Sequence, residues 1–184
     1  IEPRVRFAVS PVEDAAKARS GPPASPIAEQ ARTAPDLAAL RAGVAACTAC
    51  GLCATRTQTV FADGSGSARV LFVGEAPGAE EDRTGVPFVG RAGQLLTDII
   101  VKGMRLERAD VAIVNVLKCR PPENRDPTPE EKALCTPWLE RQIELFDPKV
   151  IVALGRHAAN FMLGTDGLAM GRLRGRVHRH AGRT

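Results

Sequence analysis

Five cysteines fall into two groups: Cys47, Cys50 and Cys53 at intervals of three, then Cys119 and Cys135 sixteen residues apart. Two thiols from an early C-x-x-C and two from a later, separated pair are what a tetrahedral metal or iron–sulfur site needs. Folding can bring them together, and thiolates neutralise a cationic centre. One cysteine is left over. The run C-x-x-C-x-x-C could enlist Cys53 in the manner of a ferredoxin, but such a run wants a fourth cysteine close behind it, and none follows. Spacing alone admits zinc as well as iron–sulfur.

A second set of candidate residues follows apolar runs. GEAPG comes directly after the run at residues 70–73; it is not the dinucleotide fingerprint, and no phosphate-binding P-loop occurs. What remains is a tight turn that places the Glu75 carboxylate where it could hold or polarise a water, with glycines letting the backbone approach a ligand. Equally, Glu75 could cap a helix or pair with one of the many arginines. Phe88, one of six Phe in a chain without Tyr, is framed by Gly85, Pro87 and Gly90. That setting suits a ring presented for stacking on a flat substrate, although a lone Phe is ordinarily core. Asn115 closes a second apolar run; its carboxamide could pair with both donors and acceptors on a nucleobase edge, or cap a loop backbone.

The elements that position these residues read as alternating strand and helix. Apolar runs at 70–73, 111–117 and 150–154 suit strands buried on both faces. Between them, Leu95, Leu96, Ile99 and Ile100 recur at helical spacing, and Thr128-Pro129-Glu130-Glu131 starts a helix with a capping box and runs towards Phe146. A short helix is expected at 157–163. The pattern predicts an α/β fold, three-layer α/β/α with a central, mainly parallel sheet. Ligands in such sheets bind at the strands' carboxyl ends, where the loop from Gly74, residues 115–120 and the turn at Gly155 should meet.

Residues 1–34, rich in Ala, Pro, Ser and Gly, read as a flexible extension, and 35–184 as the folded domain, whose first helix carries Leu37, Leu40 and Val44. At 184 residues the chain is long enough for one sizeable core. Its beginning at Ile1 is read as a lost natural start. No stretch is long and apolar enough to span a bilayer, and the amino end lacks a signal peptide's apolar core, so a cytoplasmic protein is expected, with cysteines serving a metal rather than disulfides. Net charge is +4. Arg172, Arg174, Arg176, Arg179 and Arg183, with His178 and His180, crowd the end of the chain; this is either a phosphate-binding edge or, as charge runs usually are, a solvated segment.

GEAPGAEEDRTGVPFVGRAGQLL, NVLKCRPPENRDPTPEE and the four-cysteine layout together resemble the family 4, iron–sulfur uracil-DNA glycosylases over residues 47–176. The resemblance implies a four-iron, four-sulfur (4Fe-4S) cluster held by Cys47, Cys50, Cys119 and Cys135, with Cys53 a small buried residue. It implies that Glu75, with Gly74 and Ala76, positions the attacking water and stabilises the transition state, that Phe88 stacks on uracil, and that Asn115 hydrogen-bonds the base's Watson–Crick edge. The implied activity is DNA repair: a monomer hydrolysing the N-glycosidic bond of uracil in double- or single-stranded DNA and leaving an abasic site. Family members continue past the LRGR segment into a further strand and a His-Pro-Ser-like motif with a catalytic histidine. This sequence stops at Thr184 before such a motif, and so reads as a truncated domain. That role is not transferred to His178 or His180, and His157 reads as a helix cap or packing residue. The alternatives are a non-catalytic iron–sulfur module binding uracil or single-stranded DNA, and an iron–sulfur redox protein, which would have no use for Glu75 and Asn115 at a base-reading edge.

Overall fold

The computed structural model describes residues 25–165, 168–175 and 177–178. Three apolar segments form the parallel heart of the sheet: β2 (Val70–Gly74), β3 (Ala112–Asn115) and β4 (Val150–Ala153). A two-residue strand, β1 (Asp63–Gly64), completes it in the order β1-β3-β2-β4, with β3 and β4 parallel to β2 and β1 antiparallel to β3. β1 is too short to carry an alternation that a sequence reading could detect. Gly64 is obligatory there, because its φ of 92° is left-handed and a Cβ would run into the Val111 carbonyl.

Both faces of β2 and β3 are covered, which is why they read as continuous apolar runs; β4, expected to be buried on both faces, is instead the outer strand of the described sheet, with Val150 exposed and residues 151–153 half-buried. On one face Leu71, Val73, Ala112 and Val114 pack against Leu139, Ile143 and Phe146 of α5 (Pro129–Phe146) and against Ala158 and Met162 of α6 (Arg156–Leu163). On the other, Phe72 and Ile113 meet Leu96 of α4 (Arg91–Asp98) and Ile100 of the π turn that follows it. The three-layer α/β/α architecture is thus as expected. α5 starts as the sequence predicts, with Thr128 accepting from the Glu131 amide at 3.1 Å and the Glu131 carboxylate accepting from the Thr128 amide at 2.9 Å. The middle strand is shorter than its apolar run. β3 ends at Asn115, and the next two amides, of Val116 and Leu117, turn to the Gly74 and Glu75 carbonyls at 2.9 Å each.

The expected boundary at residue 34 is corrected. Residues 26–33 form α1 (Pro26–Thr33), capped by Ser25, and α1 packs on α5 with Ala31 and Ala34 buried. Arg141 of α5 also donates to the Ala34 carbonyl, at 3.1 and 2.7 Å. The scarcity of large apolar side chains hid this helix, which docks through Ala31, Ala34 and the partly buried Ile27. α2 (Leu37–Ala45) follows, with Asp36 accepting from the Ala39 amide at 2.8 Å. The rest of the predicted extension, residues 1–24, lies outside the described residues, as do Arg176, Arg179, His180 and Arg183; Arg172 and Arg174 are exposed. Among the described residues no helix is long and apolar enough to cross a membrane.

Candidate functional site

A cleft of about 360 Å³ opens at the carboxyl ends of β2 and β3, lined by Glu75, Ala76, Phe88, Asn115, Arg125 and Asp126 among others. Gly74 and Asn115 are register partners across the two strands. A Cβ on Gly74 would fall into both the Phe88 ring and the Asn115 amide, so glycine lets the ring lie against the strand end. Asn115 is 1% exposed, and its Oδ1 is buried without a hydrogen-bond partner. An orphaned buried acceptor is costly, and when it faces a cleft it marks a place for a ligand's donor.

Phe88 adopts a left-handed backbone with φ of 55°, an uncommon state for a bulky residue that the surroundings must enforce. Arg108 Nη2 donates to the Pro87 carbonyl at 2.8 Å, while the Glu81 carboxylate accepts from the Val89 and Gly90 amides at 2.9 Å each and from the Gly78 amide at 3.1 Å. Arg108 is itself held by Asp63 and Thr97, each at 2.8 Å. Neither Glu81 nor Arg108 stood out in the sequence. Their work is to hold backbone groups of distant segments, which leaves no periodicity or motif.

Glu75 is half-buried, and among the described residues it caps no helix and makes no ion pair with an arginine: Gly78 and Glu81 close the start of α3 (Ala79–Thr84), and the Glu75 carboxylate lies 3.8 Å from His157 Nε2. Burial raises the Glu75 carboxyl above the usual carboxylate range, opposed by His157. His157 therefore does not do the capping or packing expected of it. Gly155 is the α6 cap, and the His157 Nε2 faces Asp126 at 3.5 Å as well as Glu75, with Arg156 Nη2 at 3.1 Å.

On the far side of the β3 exit, Cys47, Cys50, Cys53, Cys119 and Cys135 line a single cavity together with Arg56 and Lys118. All five are free thiols, Cys119 buried and the others half-buried. Cys53 is thus not the buried bystander expected from sequence but shares the cavity. Burial pushes the Cys135 thiol up to about 12 and raises those of Cys119 and Cys50, so thiolates here require a compensating cation. The surroundings fit such a centre. Arg56 Nη1 donates to Cys119 Sγ at 3.1 Å, and the Lys118 amide to Cys135 Sγ at 3.3 Å. The Lys118 side chain, 1% exposed, sends its ammonium the other way, to the Asn115 carbonyl and Gln142 Oε1, and burial draws it down to about 8. Gln142 Nε2 in turn donates to the Phe61 carbonyl at 2.9 Å. Sequence reasoning missed Lys118 and Gln142, since nothing in one sequence distinguishes a buried Lys or Gln from exposed ones.

The family model described as the uracil DNA glycosylase superfamily matches residues 61–183. The chain is 51% identical over 129 residues to the type-4 uracil-DNA glycosylase of Thermotoga maritima, covering 70% of this chain and 67% of that protein. It is 49% identical over 138 residues to that of Archaeoglobus fulgidus (73% and 69%). A third, from Sulfurisphaera tokodaii, is 49% identical over 124 residues, 67% of this chain and 56% of the relative. The matches thus span between about half and just over two thirds of these relatives' lengths. The sheet, the cleft and Cys119 and Cys135 all fall within the matched segment, and the chain belongs to the uracil DNA glycosylase superfamily.

Proposed function

We propose that this chain excises uracil from DNA by hydrolysing the N-glycosidic bond, as the names of its type-4 relatives describe. The observation that carries the reading is the buried, partnerless Oδ1 of Asn115 beside the Phe88 ring and the Glu75 carboxylate. A uracil flipped from the stack would lie on Phe88, with its N3–H donated to Asn115 Oδ1 and the amide's N–H directed to the neighbouring carbonyl. The C1′–N1 bond then breaks with its electron pair leaving on uracil. Water oxygen joins C1′, and the water's proton is released. Glu75 orients that water and offsets the positive charge developing on the sugar, while Asn115 bonds the base as it gains negative charge. An abasic site is left. Gly74 and Ala76 give the base room to approach the backbone.

The cysteine centre is read as a 4Fe-4S site ligated by Cys47, Cys50, Cys119 and Cys135. Five free thiols gathered in one cavity beside Arg56 and Lys118 support thiolate ligation of a metal centre, and the likeness to type-4 relatives favours the cluster over zinc. When bound, a cluster there supplies a rigid multi-thiolate anchor, outside the bond-breaking step. The protein is read as a cytoplasmic monomer.

The deciding experiment incubates the protein with end-labelled uracil- and thymine-containing oligonucleotides, single- and double-stranded, followed by alkaline cleavage of abasic sites. Uracil-specific cleavage is expected. Binding without cleavage would overturn the catalytic reading in favour of a recognition module. Iron and sulfide analysis with visible absorbance tests the centre; stoichiometric zinc without iron overturns the cluster.

A further inference from the structure

The three parallel strands each deliver one ionisable side chain to the same point. Glu75 follows β2, Asp126 lies in the loop between β3 and α5, and His157 stands in the first turn of α6, after β4. The Leu154 amide donates to the Val73 carbonyl at 2.8 Å, which sets the start of α6 beside Glu75, and Arg125 Nη1 donates to the Asp126 carbonyl at 3.1 Å. One oxygen of each acid and one ring nitrogen of His157 lie within 4.8 Å of one another, His157 Nε2 being 3.5 Å from Asp126 and 3.8 Å from Glu75. Two carboxylates this close repel, and the ready relief is for one of them to take up a proton. Asp126 is exposed and Glu75 half-buried, so that proton would settle on Glu75, which could then no longer offset charge on the sugar. A cation beside the pair removes the pressure. When protonated, Nε2 donates towards the acids; when neutral, it accepts from Arg156 Nη2 at 3.1 Å, and the guanidinium brings the charge. Burial does most to raise the Glu75 carboxyl; of the charged groups facing it, His157 opposes that rise most, Lys132 and Arg156 less, and Asp126 adds to it.

We propose that His157 is a positioning residue for the excision reaction: set between Glu75 and Asp126, it offsets their mutual repulsion and keeps Glu75 ionised in the cleft. The proposal deepens the glycosylase reading and rests on Glu75 as the group that orients the water. It gives the two acids opposite dependences. Losing His157 should make Glu75 easier to protonate, and losing the Asp126 charge should make it harder.

The test is a set of pH–rate profiles for excision by the full chain as wild type, His157→Gln, Asp126→Asn and the double variant. The ratio of the rate on the acid limb to that on the alkaline plateau should fall about threefold or more in His157→Gln and rise about twofold or more in Asp126→Asn. In the double variant it should return to near the wild-type value, with KM within about twofold throughout. A residue that served packing alone would scale the whole profile and leave the ratio unchanged, and that result would overturn the proposal. So would displacements of the same sign in both single variants. Titration of the Glu75 carboxyl by carbon NMR needs no turnover, and its midpoint should move up in His157→Gln and down in Asp126→Asn; a midpoint that ignores both overturns the proposal. Should His157→Gln fail to fold, Arg156→Gln, which leaves the imidazole in place, should move the midpoint up by less, and an unmoved midpoint again overturns it. Wild-type protein whose excision has no acid limb, or Glu75→Gln at full rate, overturns the part given to Glu75 and the proposal with it. A limb that is present in the wild type and unmoved in the variants overturns the role of His157 alone.

Discussion

The exit of β3 treats two buried polar side chains, three residues apart, in opposite ways. The Asn115 amide faces the cleft with Oδ1 unpaired, whereas the Lys118 ammonium faces the interior with acceptors supplied by Asn115 and Gln142. The carboxylates divide similarly. Among the described residues Glu75 has just the distant His157, at 3.8 Å, in the cleft, while Glu81 collects three backbone amides and Glu131 collects Arg125 and the Thr128 amide. A polar group left unpaired at a cleft is open to a ligand, unlike the unpaired Trp138 Nε1 in the core, and one that the protein saturates holds the scaffold. Substitutions in the first set should therefore damage activity more than stability, and those in the second the reverse.

The sharpest break of that contrast is Asn115→Ala, for which uracil excision should fall about a thousandfold with little change in melting temperature, because Oδ1 has no protein partner to lose. Excision kinetics and a thermal melt check both halves. A large loss of stability with near-normal activity would remove Asn115 from base reading.

Glu75→Gln should cost about a hundredfold in kcat. Because burial raises the Glu75 carboxyl, the wild-type rate should be full above that raised value and fall as pH drops through it, earlier than for an ordinary carboxylate. A pH–rate profile flat down to the ordinary carboxylate range would exclude Glu75 as the group that must be ionised.

On the saturated side, Glu81→Gln keeps the shape but weakens the acceptor for three amides, and should lower excision about tenfold through a looser Phe88 loop, with a loss of about 1–2 kcal/mol in denaturant unfolding. Equal losses of activity for Glu81→Gln and Asn115→Ala would erase the distinction between clamp and ligand-facing group.

The smallest effect is expected at Glu131, which Arg125 holds down to about 2. A carboxyl lowered on folding stabilises fully above its unfolded value of 4.5, and that contribution is lost as pH falls from there towards 2. Arg125 is 43% exposed, so solvent screening limits the pair, and Glu131→Gln should cost about 1 kcal/mol near neutrality with unchanged kcat. The difference between variant and wild type should shrink in acid unfolding.

Much of the fold that carries this division was open to a sequence reading, whose failures have physical causes. Apolar runs bounded by turn residues gave β2 and β3 because a strand covered on both faces has no polar positions, and the same signal located β4 while overstating its burial, since which strand ends the sheet is not written along the chain. Thr128, Pro129 and Glu131 fixed the start of α5 because capping is local. α1 escaped because it docks through Ala31 and Ala34, and β1 because two residues carry no pattern. His157 was read as a cap or packing residue because nothing along the chain shows that α6 starts opposite Glu75.

By itself, then, the sequence determined what depends on neighbours in the chain: the buried strands, the capped helix, the glycine turns beside them and the residue types available for chemistry. Tertiary structure decided which of those groups have partners. Whether an amide is left open at a cleft, whether a lysine is saturated, and whether all five thiols share a cavity are set by contacts between segments far apart in the chain, and the cost of burying a polar group is fixed by those contacts alone.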